Sequence, residues 1–158
     1  MTAPGLARVL LAAALAAASV PAAQAVLGAG ASSVQADEWR VGGKRRALAA
    51  PRATYTLHEI AMADGSSIRE YLTPSGIVFA VAWSTRLKPD LPALLGTHAD
   101  GYAQAARDAA RARGGLQRAV VLQREDLVVQ TSSHLGNFVG RAYLRSLVPA
   151  GVAIDELR

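Results

Sequence analysis

The sequence predicts an α+β fold in which one main helix packs on an antiparallel sheet. Residues 54–84 alternate β-branched and aromatic runs with two turn signals, a pattern typical of a three-stranded meander. Residues 90–113 then carry helix signals. Residues 119–144 return to valine-rich runs, which predict a second set of two to three antiparallel strands.

The N-terminus has the organisation of a secretory signal peptide. Arg8 precedes the apolar run Val9–Ala18, which is too short to span a bilayer, and Ala23-Gln24-Ala25 provides a small-x-small cleavage site. We expect cleavage after Ala25 and a periplasmic or secreted protein without a transmembrane segment in the mature chain. We also expect a Gly/Ala/Ser-rich segment over residues 26–53 and a single α+β domain over residues 54–158.

Composition narrows the classes of partner. The chain has no cysteine, so an exported form would be held together by its core without disulfides. Removing Arg8 with the signal lowers the formal charge from +5 to +4, which leaves a basic protein. Its arginines lack the interleaved aromatic residues of a single-stranded nucleic-acid surface, so no specific nucleic-acid partner is expected. An envelope protein or an envelope polymer is the expected partner, and the oligomeric state is left open.

The segment before the meander predicts a short helix. Ser32 and Gln35 have the spacing of a capping box, which predicts a helix from Ser33 to about Arg40 with Trp39 docking on the sheet edge. The basic triplet Lys44–Arg46 is interpreted as a solvated loop.

The meander strands are predicted at about 54–62, 67–72 and 77–83. A two-residue Asp64-Gly65 loop would place Glu59 opposite Glu70, and like charges directly opposite are destabilising. A three-residue loop with Gly65 in the left-handed region instead places Glu59 opposite Arg69 and His58 opposite Glu70. We choose this second register.

The register assigns side chains to faces. His58 and Glu70 share one face with Ile60, Met62, Ile68 and Leu72, whereas Glu59 and Arg69 share the other with Leu57 and Tyr71. In the third strand, the larger residues are expected on the main core face and the smaller ones on the opposite face. The larger set is Ile77, Phe79, Val81 and Trp83, and the smaller set is Val78, Ala80 and Ala82.

Two helices are predicted after the meander. Asp90 caps a short helix that carries Leu91, Leu94 and Leu95 and stops at Gly96. A longer helix runs from about His98 or Asp100 to Arg113. Its inward stripe is predicted to be Tyr102, Ala105, Ala106 and Ala109, with Arg107, Asp108 and Arg111 outward.

In the C-terminal part, the sequence predicts a hairpin of residues 119–123 and 127–131 and a further strand from Phe138 to about Leu144. A turn at Pro149–Gly151 and a short terminal helix are predicted after it. The intervening Ser132–Asn137 is interpreted as a turn-rich loop. Because loops often carry functional residues, His134 becomes a candidate.

The candidate site residues follow from these placements. A carboxylate orients an imidazole and raises its basicity, so the catalytic candidates are His58, Glu70 and His134. With no nucleophile in view, a buried structural pair is the preferred explanation of His58 and Glu70. The binding candidates are Glu59, Arg69, Tyr71, His134 and Asn137. No metal or other cofactor is expected, because His58, His98 and His134 are far apart in sequence and His58-Glu59 does not begin an HExxH motif.

The motifs of nearly the whole mature chain resemble a family of short bacterial exported proteins known as domain of unknown function 2844. The residues that carry the resemblance are Ser32–Val34 with Asp37, His58-Glu59, Arg69–Tyr71, Gly76–Trp83, Pro89–Leu91 with Leu94–Gly96, Asp126–Val129, His134, Phe138 with Gly140, Ala142-Tyr143, and Pro149 with Gly151-Val152. The resemblance implies export and a common fold, and it implies no activity.

The resulting functional hypothesis is an exported, non-enzymatic binding or interaction module of the envelope. The alternative is a small acid–base hydrolase that uses a His-Glu couple.

Overall fold

Seven strands form one sheet in the computed structural model, which describes residues 27–30, 44–48, 54–113 and 119–158. The strands are β1 (Lys44–Leu48), β2 (Thr56–Ala61), β3 (Ser67–Leu72), β4 (Val78–Thr85), β5 (Ala119–Arg124), β6 (Leu127–His134) and β7 (Asn137–Leu144). Their spatial order is β1-β2-β3-β4-β7-β6-β5, and every neighbouring pair is antiparallel. The predicted α+β class is confirmed.

The register chosen for the first hairpin is confirmed. His58 pairs with Glu70, and Glu59 pairs with Arg69. Met62 N donates to Ser66 O at 2.9 Å around the three-residue loop, and Gly65 has φ of 82°. Since residues rarely adopt positive φ without the freedom of glycine, Gly65 is what allows this loop length and therefore this register.

The sheet has a hydrophobic core on each of its two faces. The helix face carries Ile60, Ile68, Leu72, Val81 and Trp83, which form one core with α1 (Leu91–Leu95). The tail face carries Tyr71, Phe79, Ala80 and Ala82, which form a second core beneath residues 145–158, here called the tail. Leu147, Val148, Val152, Ile154 and Leu157 are the apolar residues of the tail in this core.

The face assignment of β4 was wrong at its beginning. Leu72 pairs with Val78 but Tyr71 pairs with Ala80, so Phe79 is an extra residue at a β-bulge. Side chains alternate between the two faces along a strand, so an extra residue moves all side chains on one side of it to the opposite face. Val78 therefore lies on the helix face, and Phe79 lies on the tail face with Ala80.

The helical region agrees with its prediction. Asp90 caps α1 by accepting a hydrogen bond from Ala93 N at 3.1 Å, and Gly96 ends the helix with φ of 53°. A short 3₁₀ turn, Gly96–His98, leads into α2 (Ala99–Arg113). The predicted inward stripe of α2 is half-buried, and Arg107, Asp108 and Arg111 are exposed. No helix in the part of the chain that is described has the length and hydrophobicity needed to cross a membrane.

Of the two described segments before the meander, one packs against α1 and the other adds an edge strand to the sheet. Leu27 is buried, and Leu27 N donates to Leu94 O at 3.2 Å. The interpretation of Lys44–Arg46 as a loop was wrong, because these residues belong to β1, which pairs with β2. Pairing satisfies the backbone groups of β2, and a cationic sequence is common on edge strands. The helix predicted at residues 33–40, with Trp39, and the predicted signal peptide both lie outside the described residues.

The predicted loop around His134 is a continuation of two strands. β6 extends to His134, which pairs with Asn137, and only Leu135 and Gly136 form the turn. Both turn residues have positive φ, 47° and 74°, as in a two-residue hairpin. Strand pairing across Ser132–His134 overrides the turn preference of the serines.

The tail begins where β7 meets the Glu125-Asp126 turn. Asp126 accepts hydrogen bonds from Ser146 Oγ at 2.5 Å and from Ser146 N at 2.8 Å. These bonds hold the pKa of Asp126 below its usual value. The turn predicted at Pro149–Gly151 and the short terminal helix are both present, the helix as a 3₁₀ turn at Ile154–Glu156.

Candidate functional site

His58 and Glu70 occupy the helix face as predicted, directly opposite each other on β2 and β3. Glu70 is completely buried, His58 is half-buried, and neither residue lacks an interaction partner. Burying a carboxylate is costly unless its environment compensates, so this position is a polar centre within an otherwise apolar core.

His134 does not join this pair. Glu70 pairs with Val81, and this row of the sheet continues through Ala142 to Val129 of β6. Three strand spacings and five residues along β6 separate His134 from Glu70, so their Cα atoms lie about 20 Å apart. The three catalytic candidates therefore do not form one site.

The histidines also do not form a metal site with other ligands in the described part of the chain. His58 lies in β2, His98 in the 3₁₀ turn and His134 at the end of β6. Among the described residues, no group of three or more His, Cys, Asp or Glu side chains is arranged to hold a metal ion.

A row of polar side chains crosses the tail face. Glu59 pairs with Arg69, Arg69 with Ala82, Ala82 with Arg141, and Arg141 with Gln130. Partners in neighbouring strands point to the same face of the sheet. Arg69 and Arg141 therefore lie on the tail face, one on each side of the small Ala82 side chain. Arg69 Nε and Nη2 contact Glu59 Oε1 at 2.8 and 2.7 Å, which fixes the first guanidinium.

The end of the tail reaches the same row. Arg69 Nη1 donates to Arg158 O at 2.6 Å, and Tyr71 OH donates to the same oxygen at 3.0 Å. Tyr71 OH also accepts from Arg158 N at 3.1 Å. Tyr71 is buried, and this burial raises the pKa of its phenol. The candidate Tyr71 therefore lies beneath the tail, which it helps to hold.

Arg141 is a candidate site residue that the sequence did not indicate. Its Nε donates to Gln130 Oε1 at 2.6 Å, its Nη1 to Ile154 O at 2.5 Å, and its Nη2 to Asp155 Oδ1 at 2.9 Å. What would have indicated Arg141 is its position in the same cross-strand row as Arg69. That signal exists only once the pairing of β4 with β7 is known.

The tail leaves part of the tail face open. A shallow cavity of about 600 Å³ lies there, over β4, β7, β6 and β5. Its floor includes Val121 and Val139, which are 49% and 43% exposed. Its charged lining residues are Arg69, Arg141 and Arg158.

The chemistry of this cavity favours binding. Its described lining contains no histidine, aspartate or glutamate, so it presents no general base of these types. It offers instead an apolar floor, hydroxyl and amide groups from Ser84, Ser132 and Gln130, and a cationic rim. Glu59 and Asp155 lie outside the lining, where they hold the arginines in place and partly offset their charge.

The binding candidates fall into two groups. Glu59, Arg69 and Tyr71 lie together on the tail face. His134 and Asn137 are exposed and face each other at the β6–β7 turn. Asn137 lies four residues along β7 from Arg141, so the Cα atoms of Asn137 and Arg69 are about 16 Å apart.

Comparison with known proteins gives one match. The family model described as "Protein of unknown function (DUF2844)" matches residues 23–157. No curated protein and no solved structure matches the chain.

Proposed function

Since the chain belongs to the DUF2844 family of unknown function, we propose its role from its geometry: an exported, non-enzymatic module that binds an extended acidic segment of another envelope protein. The open part of the tail face is the binding surface. The observation that carries this proposal is the exposed valine floor beneath three arginines.

The shape and chemistry of the cavity support a polypeptide ligand. Val121 and Val139 offer apolar contacts to aliphatic side chains, and the hydroxyl and amide groups nearby offer hydrogen bonds. A single-stranded nucleic acid would favour exposed aromatic platforms. Tyr55, Tyr71 and Phe79 instead pack on one another in the tail-face core.

The charge of the cavity supports an acidic ligand. Every charged residue in its described lining is an arginine. Hydrogen bonds to the sheet and the tail hold Arg69 and Arg141 at fixed positions, and the positive potential of the rim is what remains after Glu59 and Asp155 partly offset their charge. Such a potential attracts and orients anionic partners.

The proposed location rests on the sequence. The predicted signal peptide ends at Ala25, and the family match begins at residue 23, next to that point. We therefore propose that the mature protein acts in the periplasm or outside the cell.

Replacing Val139 with glutamate tests the binding surface. Wild-type protein is expected to bind a fluorescein-labelled peptide of alternating valine and glutamate, measured by fluorescence anisotropy. Val139→Glu should weaken this binding by more than about tenfold, because a negative charge at the floor repels the peptide. Val139 is exposed, so the fold should survive, as circular dichroism would show.

Ala110→Glu is the matched control. Ala110 is exposed on α2, and the same charge there should leave the affinity unchanged. A peptide of alternating valine and lysine should bind poorly. Equal affinity for the two peptides, or equal affinity of the wild type and Val139→Glu, would rule out this surface.

Acid–base catalysis by His58 and Glu70 is the second candidate function. The observation that favours it is their cross-strand pairing with Glu70 fully buried, since burial and a neighbouring group are the usual means of tuning a catalytic carboxylate. It ranks second because neither residue lines the tail-face cavity or the two smaller cavities beside the 86–90 loop.

Glu70→Gln tests this candidate with a chromogenic ester. If the pair is catalytic, hydrolysis of p-nitrophenyl acetate by the purified wild type should fall to background in Glu70→Gln. Glu59→Gln, on the other face of the same hairpin, should keep the activity. Background hydrolysis by the wild type itself would remove the candidate for esters.

A further inference from the structure

Leu135 is placed where neither exposure nor backbone conformation favours leucine. Its side chain is 93% exposed at the tip of the β6–β7 hairpin. Its φ of 47° lies in the left-handed region, where glycine, asparagine and aspartate are the low-cost residues. An outlier of this kind is a reason to look for a function.

Leu87 protrudes from the same end of the sheet. Its side chain is 78% exposed, two residues beyond the end of β4. Thr85 pairs with Phe138, which pairs with Ser133, so β4 and β6 lie two strand spacings, or about 10 Å, apart at this end. Leu87 and Leu135 therefore protrude from neighbouring loops at the same end of the sheet.

Both loops are anchored. Thr85 Oγ1 donates to Leu87 O at 2.7 Å, Arg86 N donates to Ser66 Oγ at 3.0 Å, and Arg86 Nε donates to Asp64 O at 2.8 Å. Leu135 is held by the strand pair on either side of its turn. Exposed leucines on anchored loops are presented to the surroundings without the entropy cost of ordering a mobile segment.

We propose that Leu87 and Leu135 insert into the interface of an anionic lipid bilayer, so that this end of the protein docks on a membrane surface. The inference is independent of the tail-face cavity and adds a second interaction to the proposed binding module.

The arrangement fits a lipid surface better than a protein partner. Two exposed leucines on separate loops offer a small apolar area, whereas a stable protein interface buries a much larger contiguous area. Binding at a bilayer interface scales with the buried apolar area and with the attraction of cations to anionic lipids, and it requires no matching partner surface.

The charges at this end include the cations expected for headgroup contact. Arg86 and Lys88 flank Leu87 and are exposed, and His134 precedes Leu135. Asp64 and Asp90 also lie at this end, and they accept hydrogen bonds from Ser66 and from Ala93 N. These carboxylates partly offset the two cations. Lys88 and the remaining donors of Arg86 are the groups that can contact headgroups, and anionic lipid is the surface that they would favour.

Vesicle flotation tests whether the protein binds membranes. The variant Leu135→Asn separates a loss of binding from a loss of folding, because it is expected to weaken binding while stabilising the fold. The wild type should bind vesicles of phosphatidylcholine containing about one-third phosphatidylglycerol. Leu87→Ser and Leu135→Asn should each bind about tenfold more weakly, because each removes one inserted side chain. Leu135→Asn should also raise the Tm by about 2 °C, because Asn-Gly is a favoured pair for this turn.

Further variants serve as controls. Leu135→Phe should retain binding, since it keeps an apolar side chain at the tip. Lys88→Gln should weaken binding, whereas Arg107→Gln, at an exposed cation on α2, should not. Absence of wild-type binding, wild-type affinity in Leu135→Asn, or equal affinity for vesicles without phosphatidylglycerol would overturn the inference.

Discussion

Phe79→Ala is expected to lower the free energy of unfolding by about 3–5 kcal/mol. The Phe79 side chain is completely buried at the bulge of β4. Its ring lies 6.0 Å from that of Tyr55 and 6.2 Å from that of Tyr71. Truncation would remove these contacts and leave a cavity beneath the tail.

Urea unfolding followed by circular dichroism measures this loss. Phe79→Leu is the matched control, because it keeps most of the apolar volume and should cost less than half as much as alanine. A loss below about 1 kcal/mol for Phe79→Ala would contradict its place in the core, since fully buried aromatic residues cost more.

Gly140→Ala is expected to destabilise the protein by about 3 kcal/mol, the upper end of the usual cost of overpacking. A Cβ atom at Gly140 would lie 2.4 Å from Trp83 Cζ2 and 2.5 Å from Gln130 O. Neither neighbour can yield easily, because Gln130 O is backbone in the middle of the sheet and Trp83 is buried. The small residue on β7 is what lets the indole of Trp83 lie across the neighbouring strand.

Gly101→Ala is the control for this prediction. A Cβ at Gly101 would meet Arg124 Cδ at 3.5 Å, an ordinary contact. Alanine inside a helix is favoured over glycine by about 0.5–1 kcal/mol, so Gly101→Ala should stabilise the protein. Thermal unfolding would compare the two variants, and equal Tm values for Gly140→Ala and the wild type would contradict the packing of Trp83 on Gly140.

Local sequence was sufficient for the first hairpin and the helices. Gly65 permits the three-residue loop, and the like charges of Glu59 and Glu70 disfavour the two-residue alternative, so the register follows from neighbouring residues. Asp90 and Gly96 likewise mark the ends of α1 by cap chemistry. These signals act within a few residues and are therefore readable from the sequence.

The errors arose where distant segments meet. The bulge at Phe79 depends on how β4 pairs with β3 and on which ring fills the space beneath the tail. The extension of β6 to His134 depends on β7, and β1 depends on the free edge of β2. Each outcome is set by pairing partners rather than by the preferences of the residues themselves.

The candidate site likewise has one part that the sequence predicted and one part that depends on the tertiary structure. The sequence placed Glu59, Arg69 and Tyr71 on one face, and the structure has them there. Arg141 joins them only because β7 lies next to β4, and the cavity forms only where strands β4 to β7 meet Leu157 and Arg158 of the tail.

The sequence by itself therefore determined the class of fold, the meander with its register and the helix limits, because turn glycines, caps and alternation act locally. Only the tertiary structure decided the strand order, the face of Phe79, the strand around His134 and the arginine-rimmed cavity. These features follow from contacts between residues far apart in the chain, where burial and backbone pairing outweigh local preference.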